Sequence, residues 1–362
     1  MKLIYSAFIA SVVLASTPSL AADDDSVQER FSKSTLLKGL AEGVFQPQVQ
    51  QFARQSQTWA QDWQRYCQRP SANGWKQLQQ GWLTTAKQWQ ALEMVQIGPL
   101  IERRSQREVN FWPTRPAQID NWLKSHDALT ADALEALPAA AKGLPALEYL
   151  MSLKPAPKGR RCAVATWLAQ GVAQEATGLE QDWRQGYTRQ LAEAGQHPED
   201  KVFLRTDQAL GELINLMIAG MDFVRVRKLE KPLQHNRDEQ DALGRIEAWR
   251  SGHSLSLLEA NLDGFSRVFF GMDGPGGKAV GFDDYLDGRD KLVLIRRTKE
   301  DLEEARAILR SLKGKTMQQA IQRHPAQLET LQTILRRLQT RLENELAPLL
   351  DIQLDFNASD GD

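Results

Sequence analysis

The sequence predicts an all-α protein built of helical bundles, and two observations predict it. Apolar residues recur at steps of three and four along most of the chain, which gathers them on single helix faces. No stretch of useful length alternates with the two-residue period of a strand. Clusters of Pro, Gly, Asn and Ser separate the periodic segments and read as turns.

The N-terminus reads as an export signal. Lys2 precedes an apolar run over residues 3–15, followed by Ser16, Thr17, Pro18 and Ser19, with Ser19 and Ala21 at the −3 and −1 positions of a cleavage site. The run is shorter than the ~20 residues of a membrane span and is closed by Pro18 and Asp23 to Asp25. The mature chain is expected to begin near Ala22. No cysteine precedes Cys67, so a lipid anchor at the cleavage point is not expected. No later segment holds ~18 uninterrupted apolar residues, so no transmembrane segment is expected in the mature chain.

The first long helix is marked by Phe45, Val49, Phe52, Trp59, Trp63 and Tyr66, with Ser56 filling the gap. Trp75, Leu78, Trp82, Thr85, Trp89 and Leu92 mark the second. A third runs through Leu168, Val172, Leu179 and Trp183. Phe203, Leu210, Ile214, Met217, Met221 and Val224 mark a fourth. Leu255, Leu258, Leu262, Phe265 and Phe269 mark a fifth, with Ser251 placed to cap it. The last carries Leu328, Leu331, Leu335, Leu338, Leu342 and Leu349. Shorter helices are expected over 120–124, 131–137, 145–153 and 290–312. Bundle cores are the natural destination of such faces. The break at Gly195, Gln196, His197 and Pro198 divides the chain into halves of about 30–195 and 196–355, ahead of an acidic tail over 356–362 that is expected to fray.

Composition narrows the function. There are 45 basic and 46 acidic residues, a net charge of −1, and no basic stripe of the kind nucleic acid requires. Cys67 and Cys162 are the only cysteines; in an oxidising compartment they read as one disulfide, and closing a loop of that length contributes ~4 kcal/mol. The ten tryptophans fall at helical spacing, which argues for core packing and against a sugar platform. No nucleophile-elbow, Walker or haem-attachment motif is present, and His126, His197, His235 and His324 form neither H-x-x-E nor H-x-x-x-H.

Five short motifs stand in order along the chain: Trp89 through Gly98-Pro99, Asn110-Phe111-Trp112-Pro113, Gly143-Leu144-Pro145-Ala146-Leu147-Glu148, Arg161-Cys162 and Arg250-Ser251-Gly252-His253-Ser254-Leu255. In this order they resemble the imelysin family, whose signature is G-x-H-x-x-E. The resemblance implies two helical halves with a site between them around the signature helix. It also implies an exported bacterial protein linked to iron or metal acquisition, partnered with iron-uptake or outer-membrane components, and a proposed metallopeptidase activity. Here Pro145 replaces the signature histidine. H-x-x-E places an imidazole and a carboxylate one turn apart on one helix face, where both reach one metal ion. Proline offers no ligand, although it suits a first helical turn.

The residues expected at a binding cleft are Gly143, Pro145, Glu148, Trp112, Arg115, Arg250, Ser251 and Ser254, with Glu148 as the one candidate metal ligand, iron being the metal the family implies. Each has a structural alternative: Glu148 as a helix-surface acid, the Trp-Pro loop as a plug over a bundle end, and Ser251 as a simple cap. The turn at Arg250 to Ser254 also offers main-chain N–H groups to an anion. The cluster Glu102, Arg103, Arg104, Arg107 and Glu108 reads as a solvated helix face with an Arg104–Glu108 pair, against an anion clamp. The reading is a periplasmic, non-enzymatic binding component; the alternatives are a metallopeptidase and a structural partner of an outer-membrane system.

Overall fold

The computed structural model describes residues 31–197, 199, 202–234, 243–274 and 277–353. The signal peptide, Pro198, the group His235, Asp238 and Glu239, and the acidic tail lie outside the described residues. Eight helices position the site: α1 (Gln46–Gln68), α2 (Ala72–Glu93), α3 (Gly143–Ser152), α4 (Gly159–Asp182), α5 (Thr206–Asp222), α6 (Ser254–Phe270), α7 (Leu292–Ser311) and α8 (Pro325–Arg341).

α1 stops before Pro70, because the residue preceding a proline is pushed out of the helical region. The Ser71 hydroxyl then accepts from the Gly74 N–H (3.0 Å) and starts α2. α1 packs on α2 and α4, while α7 packs on α8 and α5 on α8. The two groups meet along α2 and α6. The apolar core runs unbroken through both, with Trp59, Trp63, Trp89 and Trp183 fully buried. Edge-on rings connect Trp63 to Trp59 and to Trp75, each at 6.3 Å. Cys67 and Cys162 form the expected disulfide, with Cα atoms 5.7 Å apart across a separation of 95 residues.

Several local expectations are corrected. The fourth helix begins at Thr206, and Phe203 lies ahead of it, packing on Tyr187 at 6.1 Å. α7 begins at Leu292 because Asp290 takes a left-handed φ of 56°. Ser251 does not cap α6, which starts at Ser254; its hydroxyl donates to the Ala248 carbonyl (3.1 Å). Arg104 does not pair with Glu108 on a continuous helix. Its φ of 56° breaks the chain between two short helices, Glu108 pairs with Lys142 at 2.5 Å, and Arg103 holds Glu175 and Asp182. A two-residue hairpin, Asp273 to Lys278 and Gly274 to Gly277, occupies a loop that was expected to hold no strand.

The helical rhythm is also interrupted in a way that the apolar spacing does not register. π-helical stretches continue several helices: Ala41–Phe45, Trp183–Tyr187, Phe223–Glu230 and Leu342–Leu346. Such stretches hold one more residue per turn and are frequent at functional positions.

Candidate functional site

The signature helix starts where only glycine fits. Gly143 has a φ of 73°, and a Cβ on it would lie 2.4 Å from the Val109 carbonyl oxygen. Pro145 is in the first turn of α3, where its missing N–H leaves no bond unmade. The Trp82 indole donates to the Leu144 carbonyl (3.0 Å), which fixes this end of α3 against α2.

Glu148 is one turn further along and 4% exposed. Its Oε1 accepts the Ser251 main-chain N–H at 2.7 Å. The turn that offers N–H groups to an anion is therefore engaged by a carboxylate of the chain itself. Burial pushes the Glu148 carboxyl above the usual carboxylate range, outweighing the Ser251 bonds and the nearby Arg250 charge, while Glu247 adds a further upward push. Beside it opens a narrow cleft of about 30 Å³ whose walls include Trp82, Trp112, Pro145, Glu148, Glu247 and Arg250.

Behind the cleft wall lies a group that the sequence reading missed. Lys228, Glu93, Glu247, Gln90, Asn110 and Asn261 are all buried. Lys228 donates from Nζ to Glu93, Gln90 and Asn261 and lies 3.1 Å from Glu247. Glu247 Oε1 also accepts from Gln90 (2.8 Å) and Asn110 (2.7 Å). Burial pulls the Lys228 ammonium down, but two carboxylates together outweigh it and raise it above its ordinary value. At Glu247 burial is the largest influence and outweighs the single lysine, so that carboxyl is raised. The helices can meet this closely because Gly264 of α6 faces the Ala91 carbonyl, which a Cβ would approach to 2.3 Å. Asn261, one turn earlier, donates to the Gln90 carbonyl at 2.8 Å.

The expected residues divide. Glu148, Pro145, Trp112 and Arg250 line one cleft, and Ser251 reaches it through its N–H. Ser254 is buried and donates its hydroxyl to the Glu247 carbonyl, so it braces the wall and does not line the cleft. Arg115 is exposed and off the cleft; its N–H donates to the Ala140 carbonyl (2.9 Å). Gly143 borders a separate groove with Arg103, Lys142 and Glu175.

The sequence model of the family described as Peptidase M75, Imelysin, matches residues 45–345. The chain belongs to the imelysin family. Solved structures agree in fold. An imelysin-like protein from Psychrobacter arcticum 273-4 is 20% identical over 90% of this chain and 97% of its own, with a TM-score of 0.72. A protein assigned as an iron-regulated protein A precursor, from Parabacteroides distasonis ATCC 8503, is 14% identical over 86% and 93%, with a TM-score of 0.73. No curated protein matches the chain.

The metal that the imelysin signature implies does not fit this imelysin's donor set. A catalytic zinc usually takes three protein ligands. Here one ligand position is Pro145, Glu148 is partly committed to Ser251, and both Glu247 oxygens are engaged. Among the described residues no group of three or more His, Cys, Asp or Glu is arranged to hold an ion.

The state of Glu148 can be read from stability. Its carboxyl is raised in the fold, so the folded chain binds this proton more tightly than the unfolded chain. The resulting stability is present at acid pH and lost as pH rises through the raised value. Glu148→Gln mimics the protonated form and still accepts from Ser251. Relative to wild type the variant should gain stability from about pH 4 to about pH 7. Paired urea titrations check this; a relative loss over that range would contradict it.

Proposed function

We propose that this imelysin is an exported, non-hydrolytic binding component of a periplasmic iron- or metal-acquisition system, with its cleft at the junction of two helical halves of about residues 30–195 and 196–355. The observation that carries this is the cleft wall itself. It keeps the carboxylate of the signature but presents a proline where the nitrogen ligand would stand. Export is supported by the leader pattern over residues 1–21, by the cysteine pair and by the word precursor in the name of one structural relative. The iron connection is supported by that same name. No described helix is long and apolar enough to cross a membrane, so contact with outer-membrane components would be peripheral.

A strain lacking the chain should grow more slowly than its parent when ferric iron is chelated, and recover when iron is restored. Equal growth under chelation would count against the acquisition role. The purified protein should not cleave denatured casein in a metal-dependent way. Cleavage that is lost with chelator and in Glu148→Ala would favour the metallopeptidase reading instead.

A further inference from the structure

Two charged side chains of opposite sign meet in the cleft, and each has hydrogen-bonding capacity beyond its main-chain and ring contacts. Arg250 stacks its guanidinium over the Tyr149 ring at 5.4 Å and the Trp249 ring at 4.6 Å. With rings against its planar group, the in-plane N–H donors are the part left to meet a ligand. Among the described residues no carboxylate lies within ion-pair distance of it, and it is half-buried on the cleft wall. Glu148 presents the complement. Oε1 is held by the Ser251 N–H and the carboxylate also lies within reach of the Ser251 hydroxyl, while among the described residues no main-chain N–H donates to Oε2, and the residue borders the open space. The other charges nearby are already balanced or lie outside. Glu247 is tied to Lys228, Gln90 and Asn110, and Arg227 stacks on the outer Trp112 ring at 5.8 Å. The rest of the wall is uncharged: Trp82, Pro145, Leu257 and Ala86 are apolar, and Thr114 and Asn110 are polar.

We propose that the cleft binds a small amino-acid zwitterion, its carboxylate on the Arg250 guanidinium and its ammonium on the Glu148 carboxylate. A single anion would draw on the Arg250 charge that partly offsets Glu148, and a single cation would face Arg250. A zwitterion relieves both, and it supplies the ammonium that favours the ionised form of a buried carboxyl. The narrow cleft suits a small ligand body and excludes long side chains. The inference rests on the non-hydrolytic binding reading and names the ligand class for the same cleft.

The test uses the full mature chain and isothermal titration calorimetry. The zwitterions L-alanine, β-alanine and 4-aminobutyrate sample different charge separations; propionate and ethylamine carry one charge each. At least one zwitterion should bind, with both single-charge compounds weaker by about tenfold or more, because each leaves one of the two cleft partners unpaired. Arg250→Gln and Glu148→Gln should each weaken that zwitterion by a similar factor. Arg250→Lys, which keeps the charge and loses the planar fork, serves if the glutamine variant does not fold. No binding by any zwitterion, equal binding of propionate or ethylamine, or unchanged binding in the variants would overturn the proposal. Failure here with an intact iron-limitation phenotype would sink the ligand class and leave the proposed function standing.

Discussion

Lys228→Met should cost about 3–5 kcal/mol, because it removes the one cation that two buried carboxylates share. Methionine fills the space of the lysine stem, so the loss reports charge and not volume. Glu93 and Glu247 would then face each other across a buried interface with only the Trp89 indole and amide donors left. The loss should be smaller at acid pH. Without the ammonium the Glu247 carboxyl, already raised by burial, rises further, and a protonated carboxyl no longer needs a cation. Urea titrations at about pH 4 and about pH 7 provide the check. A loss below about 1 kcal/mol at neutral pH would mean that water reaches the cluster and screens it.

Replacing both Cys67 and Cys162 by serine should cost about 4–5 kcal/mol, since the bond closes a separation of 95 residues in the unfolded chain. It ties the end of α1 to the first turn of α4, two helices already packed along their length. The cross-link therefore restrains the unfolded chain more than it adds native contacts. Against a typical total of about 5–15 kcal/mol this is a large share. Equilibrium unfolding of the double serine variant measures it, and peptide mapping without reductant confirms the pairing in the parent. A variant as stable as the parent would show that the unfolded chain is already compact between these positions.

The helices were legible because their apolar faces are long and regular. Trp75 to Leu92 fixes α2 to within a few residues, and Leu255 to Phe269 fixes α6 to within one residue at each end. Pro145 and Glu148 were legible as a pair because one helical turn separates them and family resemblance drew attention there. The buried cluster was not, since its members come from distant segments that only packing unites. A signal was present all the same. Met217, Met221 and Val224 lead by the next step of four to Lys228, and Trp82 and Trp89 lead to Glu93 in the same way. A lysine and a glutamate on core-facing stripes are expected to find each other, because an isolated buried charge is so costly. Arg115 misled for the opposite reason. It sits beside a Trp-Pro element that does reach the cleft, yet Pro116 starts a new helix and turns its side chain outward.

The π-helical stretch Phe223–Glu230 gives the core an unusual dependence on the spelling of the chain. Lys228 lies within it, on the stripe that Met217, Met221 and Val224 begin, and faces Glu93 and Glu247. The stretch takes up a residue that regular winding does not need. One letter lost there is absorbed by a return to regular winding, with the core-facing stripe kept on either side. One letter lost elsewhere in the helix turns every later residue by about 100° around the axis. Tolerance of a single deletion should therefore be confined to this segment.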